Sequence, residues 1–174
     1  MTPETDRSAV ESRFAGVFAH LGLIAAYARR RGAHDPDALA AEVMAIAWRR
    51  LADVPADDPR PWLIATARNL LLADRRRNAI STANLDGVDP PALPAPAVDL
   101  DPELERALRS LSAHDREALL LVAWEDLTAS AAAASLGISA AAFRVRLHRA
   151  RRRLVYQLET RARLDNREPS MEQL

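Results

Sequence analysis

TASAAAASLGISAAAFRVRLHRARRRL, residues 128–154, is the stretch whose reading decides the fold. Its alanine-rich first third favours helix from residue 128 to 136, with Thr128 placed to cap the N-terminus. Gly137 stops that helix, because glycine tolerates the left-handed conformation of a C-terminal cap. Ser139 caps a second helix, apolar and basic, that runs to about Leu154. Helix, short Gly-containing turn, helix is the helix-turn-helix pattern. At about 100° per residue, with Arg144 at zero, Phe143, Leu147, Ala150 and Leu154 fall within about 60° of one another. Arg144, Val145, His148, Arg149 and Arg152 occupy the opposite side, within an arc of about 140°. One face asks for a core. The other offers guanidiniums, an imidazole and a small apolar side chain, the groups that read guanine edges and thymine methyls. A solvated basic face is the plain alternative, and the Gly turn with its preceding helix favours DNA.

The whole chain has 174 residues, with 24 basic and 24 acidic side chains and a formal net charge of zero. The neutral total hides a polarity along the chain. Eight Arg and one Glu lie between Arg144 and Arg163, whereas six acids and no base lie between Ser81 and Glu105. Local charge is what meets phosphate. There is no Cys, which excludes disulfides and thiolate zinc sites and fits a reducing compartment. The four His, at 20, 34, 114 and 148, lack ligand spacing, so no metal or cofactor is expected. The start, MTPETDRS, has no signal-peptide apolar region, and no run of 18 apolar residues exists to span a membrane. A cytoplasmic protein without membrane insertion is the expectation. No nucleophile–base pair or Gly-rich phosphate loop supports an enzyme.

The rest of the chain reads as helices throughout. Residues 1–8 should fray. From about Val10 to Arg31 the apolar residues Phe14, Val17, Phe18, Leu21, Ile24, Ala25 and Ala28 keep helical spacing, and Gly32 ends the element. Asp35-Pro36 opens a second helix to about Ala52, burying Leu39, Val43, Ile46, Ala47 and Leu51, with Glu42, Met44 and Arg49 outside. DVPADDPR (53–60) is a loop. A third helix runs from Trp62 to about Asn78 on Leu63, Ala67, Leu70 and Leu71, ending in Arg75, Arg76 and Arg77, where cations suit the helix dipole or face phosphates. Residues 81–100, centred on PPALPAP, form an extended acidic Pro-rich linker. Asp101-Pro102 opens a helix to about Leu111. Ser112 caps another, from about His114 to Trp124, buried through Ala118, Leu119, Leu121 and Val122. The fold class is therefore all-α: two small helical bundles, residues 1–80 and 101–165, joined by the linker 81–100 and followed by a frayed tail, 166–174.

In this layout the chain resembles a bacterial RNA polymerase sigma factor of the sigma-70 family, extracytoplasmic-function group. The resemblance is carried by DPDALAAEVMAIAWRRL (35–51), RPWLIATARNLLLADRRR (60–77), LSAHDREALLLVAWEDLT (111–128) and LGISAAAFRVRLHRARRRL (136–154). It implies a region-2 domain, a linker and a region-4 domain. Their joint role would be to bind core RNA polymerase and promoter DNA and to start transcription at promoters with particular −10 and −35 elements. An anti-sigma protein is a common further partner in that family. By position, Leu39, Glu42, Val43, Ile46 and Arg49 match the surface that docks on the polymerase. Pro55, Asp57, Asp58 and Arg60 match the loop that captures a flipped −10 base, whose extrusion costs a few kcal/mol of stacking. Arg68, Asn69, Arg75 and Arg76 match the helix facing the −10 strand. Arg144, Val145, His148 and Arg149 match the −35 readers, with Arg146 and Arg152 as phosphate or intramolecular contacts. The sequence departs from the family in SAAAAS (130–135), where an acid near Ala131 usually supports neighbouring bases, so a less tightly braced helix-turn-helix is expected. A stand-alone helix-turn-helix regulator is the alternative. It would need a dimer to match two half-sites, and residues 35–77 would have no use.

Overall fold

The computed structural model describes residues 3–82 and 100–165. Among these there are eight α-helices and no strand. In chain order they are α1 (Pro3–Phe18), α2 (Leu21–Arg30), α3 (Pro36–Arg49), α4 (Arg60–Thr82), α5 (Pro102–Ser110), α6 (Ala113–Ala123), α7 (Ala129–Leu136) and α8 (Ala140–Asp165); a 3₁₀ turn, Leu51–Asp53, follows α3. The chain divides into two compact units. The first is built on Met1–Ala97, the second on Val98–Ala133 and Ile138–Leu174. Residues 83–99, nearly all of the acidic linker, and the tail 166–174 lie outside the described residues.

The first unit packs α2, α3 and α4 against one another, with α1 on α3. Asp35 caps α3 by accepting from the Ala38 N–H at 2.9 Å, and Pro36 needs no partner in the first turn. Gly32, at φ 68°, closes the α2 end. The core is Val17, Ile24, Tyr27, Ala28, Leu39, Ala40, Val43, Met44, Ala47, Leu51, Val54, Leu63, Ile64, Ala67 and Leu71, all buried. Full burial of such aliphatic side chains contributes about 1.5–3 kcal/mol each before entropy is counted.

Several boundaries differ from expectation. The single helix expected from Val10 to Arg31 is two, parted at Ala19–His20, and helix begins at Pro3 rather than after a frayed start. His20 turns its N–H to the Val17 carbonyl at 3.1 Å, a tightening to i−3 that ends α1 without Gly or Pro. The Arg7–Arg30 stretch is long and apolar enough to cross a membrane by length and composition. The turn at Ala19–His20 divides it, and Ile24, Ala25, Tyr27 and Ala28 are buried within the protein. Met44 is buried rather than outside, whereas Trp48 is 47% exposed and takes the Phe14 ring edge-on at 4.9 Å. Helix α4 continues to Thr82, into the span expected as linker, and α8 to Asp165, well beyond Leu154.

In the second unit α5 and α6 both pack on α8. Asp101 accepts from the N–H groups of Glu103 and Leu104, at 2.9 and 3.3 Å, and Ser112 from that of Asp115 at 3.2 Å. Its core is Ala107, Leu108, Leu111, Ala118, Leu119, Leu120, Leu121, Leu127, Ala132, Ala133, Phe143, Leu147 and Ala150. Asp126, at φ 49°, takes the left-handed turn between α6 and α7, where a short polar side chain is tolerated.

Candidate nucleic-acid interface

Local capping builds the helix-turn-helix. Thr128 Oγ1 accepts from the Ala131 N–H at 3.2 Å and Ser139 Oγ from the Ala142 N–H at 3.1 Å. Between them Gly137 sits at φ 67°, while the Ile138 N–H returns to the Ala133 carbonyl and the Gly137 N–H to that of Ala134, each at 3.1 Å. This is a Schellman closure, and it sets the direction in which α8 leaves. Phe143 and Ala150 are fully buried and Leu147 nearly so. Arg144, Val145, His148, Arg149 and Arg152 are exposed, Val145 at 50%, and Arg146 is half-buried. The inward face therefore pins the helix while the outward one stays in solvent.

Helix α8 is braced from behind by charges that sequence reasoning did not find. Asp115, Arg116 and Glu117, three consecutive charged residues of the first turn of α6, are all buried. Asp115 forms an ion pair with Arg153 of α8. Arg116 Nη1 donates to the carbonyls of Leu108 and Arg109, both at 3.4 Å, at the end of α5. A buried charge is tolerable only when it is paired and hydrogen-bonded. The one sequence signal was Ser-x-x-Asp at 112–115, which reads as a helix cap and gives no hint of a partner on α8.

The candidate groups of the first unit are used differently. Pro55 and Asp57 are exposed. Asp58 meets Arg60 in a fork, Nε to Oδ1 at 2.9 Å and Nη2 to Oδ2 at 3.0 Å, and Oδ1 also accepts the Arg60 backbone N–H at 3.1 Å. Chiefly that side-chain hydrogen bond from Arg60 holds the Asp58 carboxyl below the usual carboxylate range. Arg75 Nη2 donates to the Arg31 carbonyl at 2.6 Å, tying α4 to the end of α2. Arg68 is half-buried; Asn69 and Arg76 are exposed. Around α4, Arg68 and Arg75 fall about 20° apart, as do Asn69 and Arg76, and the two pairs point about 100° from each other. Because α4 runs to Thr82, Arg75, Arg76 and Arg77 are not in its last turn, and the helix dipole does not account for them.

Residues 102–154 match the family model described as Sigma-70, region 4. No curated protein sequence matches the chain. Among solved structures, the sigma factor RpoE from Bartonella quintana, in complex with the anti-sigma factor NepR, is similar over 83% of this chain and 95% of that one, at 25% identity and a TM-score of 0.63. CnrH, in complex with the cytosolic domain of CnrY, is similar over 84% of this chain and 88% of that one, at 26% identity and a TM-score of 0.56. The region-4 match and the likeness to these two proteins support a factor of the sigma-70 family, extracytoplasmic-function group.

That likeness sharpens the placement of the docking candidates. On α3, Glu42 and Arg49 are exposed and Ile46 is half-buried, but Leu39 and Val43 are core residues, with Val43 at 0% exposure. Those two are corrected from surface contacts to supports, because a side chain packed inside the bundle has no face left for a partner. Ala41, Ala45 and Trp48 share the exposed side. Among the described residues no group of three or more His, Cys, Asp or Glu is arranged to hold a metal ion.

Proposed function

We propose that this sigma factor binds core RNA polymerase and directs transcription initiation at promoters carrying a −35 element read by α8 and a −10 element read by the α4 region. One observation carries the reading: Arg144, Val145, His148 and Arg149, which the resemblance matches by position to −35 readers, all lie on the face of α8 that stays in solvent. Residues 1–80 would act as region 2 and 101–165 as region 4. Glu42, Ile46 and Arg49 would meet the polymerase from α3, with Leu39 and Val43 holding that helix in place. Pro55 and Asp57 would line the −10 loop. Asp58 and Arg60 would shape it through their mutual fork. Asn69 and Arg76 would face the −10 strand. No covalent chemistry or cofactor is required, and the site of action would be the cytoplasm, where the polymerase works. The similar solved structures, one held by an anti-sigma factor and one by a cytosolic domain, support an anti-sigma protein as a further partner.

Run-off transcription with core polymerase and genomic promoter fragments tests the proposal. Specific transcripts should appear only when the chain is added. No gain in specific transcripts would favour the stand-alone regulator. Glu42→Arg should impair association with core polymerase while leaving DNA binding by α8 intact; normal association would remove α3 from the docking surface.

A further inference from the structure

The basic face of α8 does not stop where the family pattern does. At about 100° per residue from Arg144, Arg152 lies at about 80°, Val155 at about 20° and Tyr156 at about 120°, all inside the arc of about 140° that holds the −35 readers. Tyr156 is 65% exposed, and its hydroxyl makes no hydrogen bond to any described residue. With Arg149, Arg152, Arg153 and Gln157 it lines one shallow recess. Arg153 lies outside the arc and is tied to Asp115. Glu159, at about 60°, is the next side chain on that face and the first acid. A surface meant for phosphate ends where a carboxylate begins to face it, since like charges repel.

Distance along the axis decides what Tyr156 can meet. It stands about 18 Å beyond Arg144, at about 1.5 Å per residue. A recognition helix puts its N-terminal residues on the base edges of a groove about 12 Å wide. A side chain about 18 Å further along has left the base edges and reached the rim, where phosphate oxygens lie. Tyrosine hydroxyls and guanidiniums are both standard backbone contacts. We propose that Tyr156, with Arg152, anchors α8 to the DNA backbone at the far end of the −35 face, fixing its depth in the groove without reading a base. This rests on the −35 assignment above.

The test uses full-length chain assembled with core polymerase. The probes are a labelled duplex whose −35 segment has been enriched from a randomised pool and the same duplex with that segment scrambled. Tyr156→Phe, which removes only an exposed hydroxyl, should weaken both by about three- to tenfold, the range of an ordinary net hydrogen bond. Their ratio and the salt slope should stay unchanged. Arg152→Ala should weaken both and lower the salt slope by about 1. Wild-type affinity in Tyr156→Phe, or a loss confined to the enriched duplex, overturns the anchor. Arg149→Ala separates the two claims: if it narrows the ratio between the duplexes, the −35 assignment stands whatever Tyr156 does. If neither variant changes binding, both fall.

Discussion

Arginine does opposite work in the two units. In the first, Arg60 closes on Asp58 and Arg75 on the Arg31 carbonyl, so candidate DNA-facing guanidiniums are spent on the fold. In the second, the fold consumes Arg116 and Arg153, and the face with Arg144, Arg149 and Arg152 stays exposed. The same residue type is thus cement in one place and, on the proposed function, contact surface in the other. The difference follows from position on the helix. An arginine beside a buried element end finds carbonyls and carboxylates there, while one on a solvent face meets only water until a ligand arrives. Contacts made by the first kind should show up in stability, and those made by the second in affinity and its salt dependence.

The largest effect should come from the support of the exposed face. Phe143 is fully buried on the inward face of α8, next to Arg144 in sequence. Phe143→Ala should cost about 3–5 kcal/mol by transfer and cavity terms together. Denaturant unfolding should show the second unit destabilised, and hydrogen exchange at Ile24 and Leu63 should stay protected. Equal loss of protection in the first unit would mean the two arginine systems are not independent. Next comes the exposed face itself. Arg149→Ala should leave unfolding unchanged and weaken −35 binding by about 1–3 kcal/mol with relaxed preference at one base pair. An equal loss on every sequence would turn Arg149 into a phosphate contact.

Neighbours on α4 offer the sharpest contrast within one helix. Arg75→Ala removes the 2.6 Å bond to the Arg31 carbonyl and should cost about 1–2 kcal/mol of stability. Arg76→Ala, one residue on, should change stability by no more than about 0.5 kcal/mol but lower the salt slope of promoter binding by about 1. If the two effects were exchanged, the division between structural and DNA-facing arginines on α4 would be wrong.

Much of this was legible locally. Caps at Asp35, Asp101, Ser112, Thr128 and Ser139, the stop at Gly137 and the two faces of α8 all follow from rules that act within a few residues. What escaped was non-local or unpunctuated. Asp115 and Arg153 are 38 residues apart, and Arg31 and Arg75 are 44 apart. No spacing rule links such pairs. The break at Ala19–His20 carries no Gly or Pro, and both flanking segments keep their apolar residues, so periodicity ran through it. Helical spacing put Leu39 and Val43 on the buried stripe, and their burial bears it out, while the family pattern alone had matched them to the docking surface. A match of residue type does not tell an inward side chain from an outward one, and periodicity does.

The smallest effect belongs to the Asp58–Arg60 fork, and pH reads it. A carboxyl whose folded pKa lies below its unfolded one stabilises fully above the ordinary aspartate value of 3.8 and loses that contribution as pH falls through the folded value. Both side chains are about one-third exposed, 33% for Arg60 and 34% for Asp58, so solvent screens the pair and its worth is about 0.5–1 kcal/mol at neutral pH. Asp58→Asn should therefore lower thermal stability slightly at pH 7. The gap from wild type should close on acidification, once the wild-type carboxyl is protonated as well. A gap that persists unchanged at low pH would mean that the charge is not what Asp58 contributes. Unchanged stability at every pH, with impaired promoter melting, would return Asp58 to the −10 contacts and dissolve the contrast between the two units at this position.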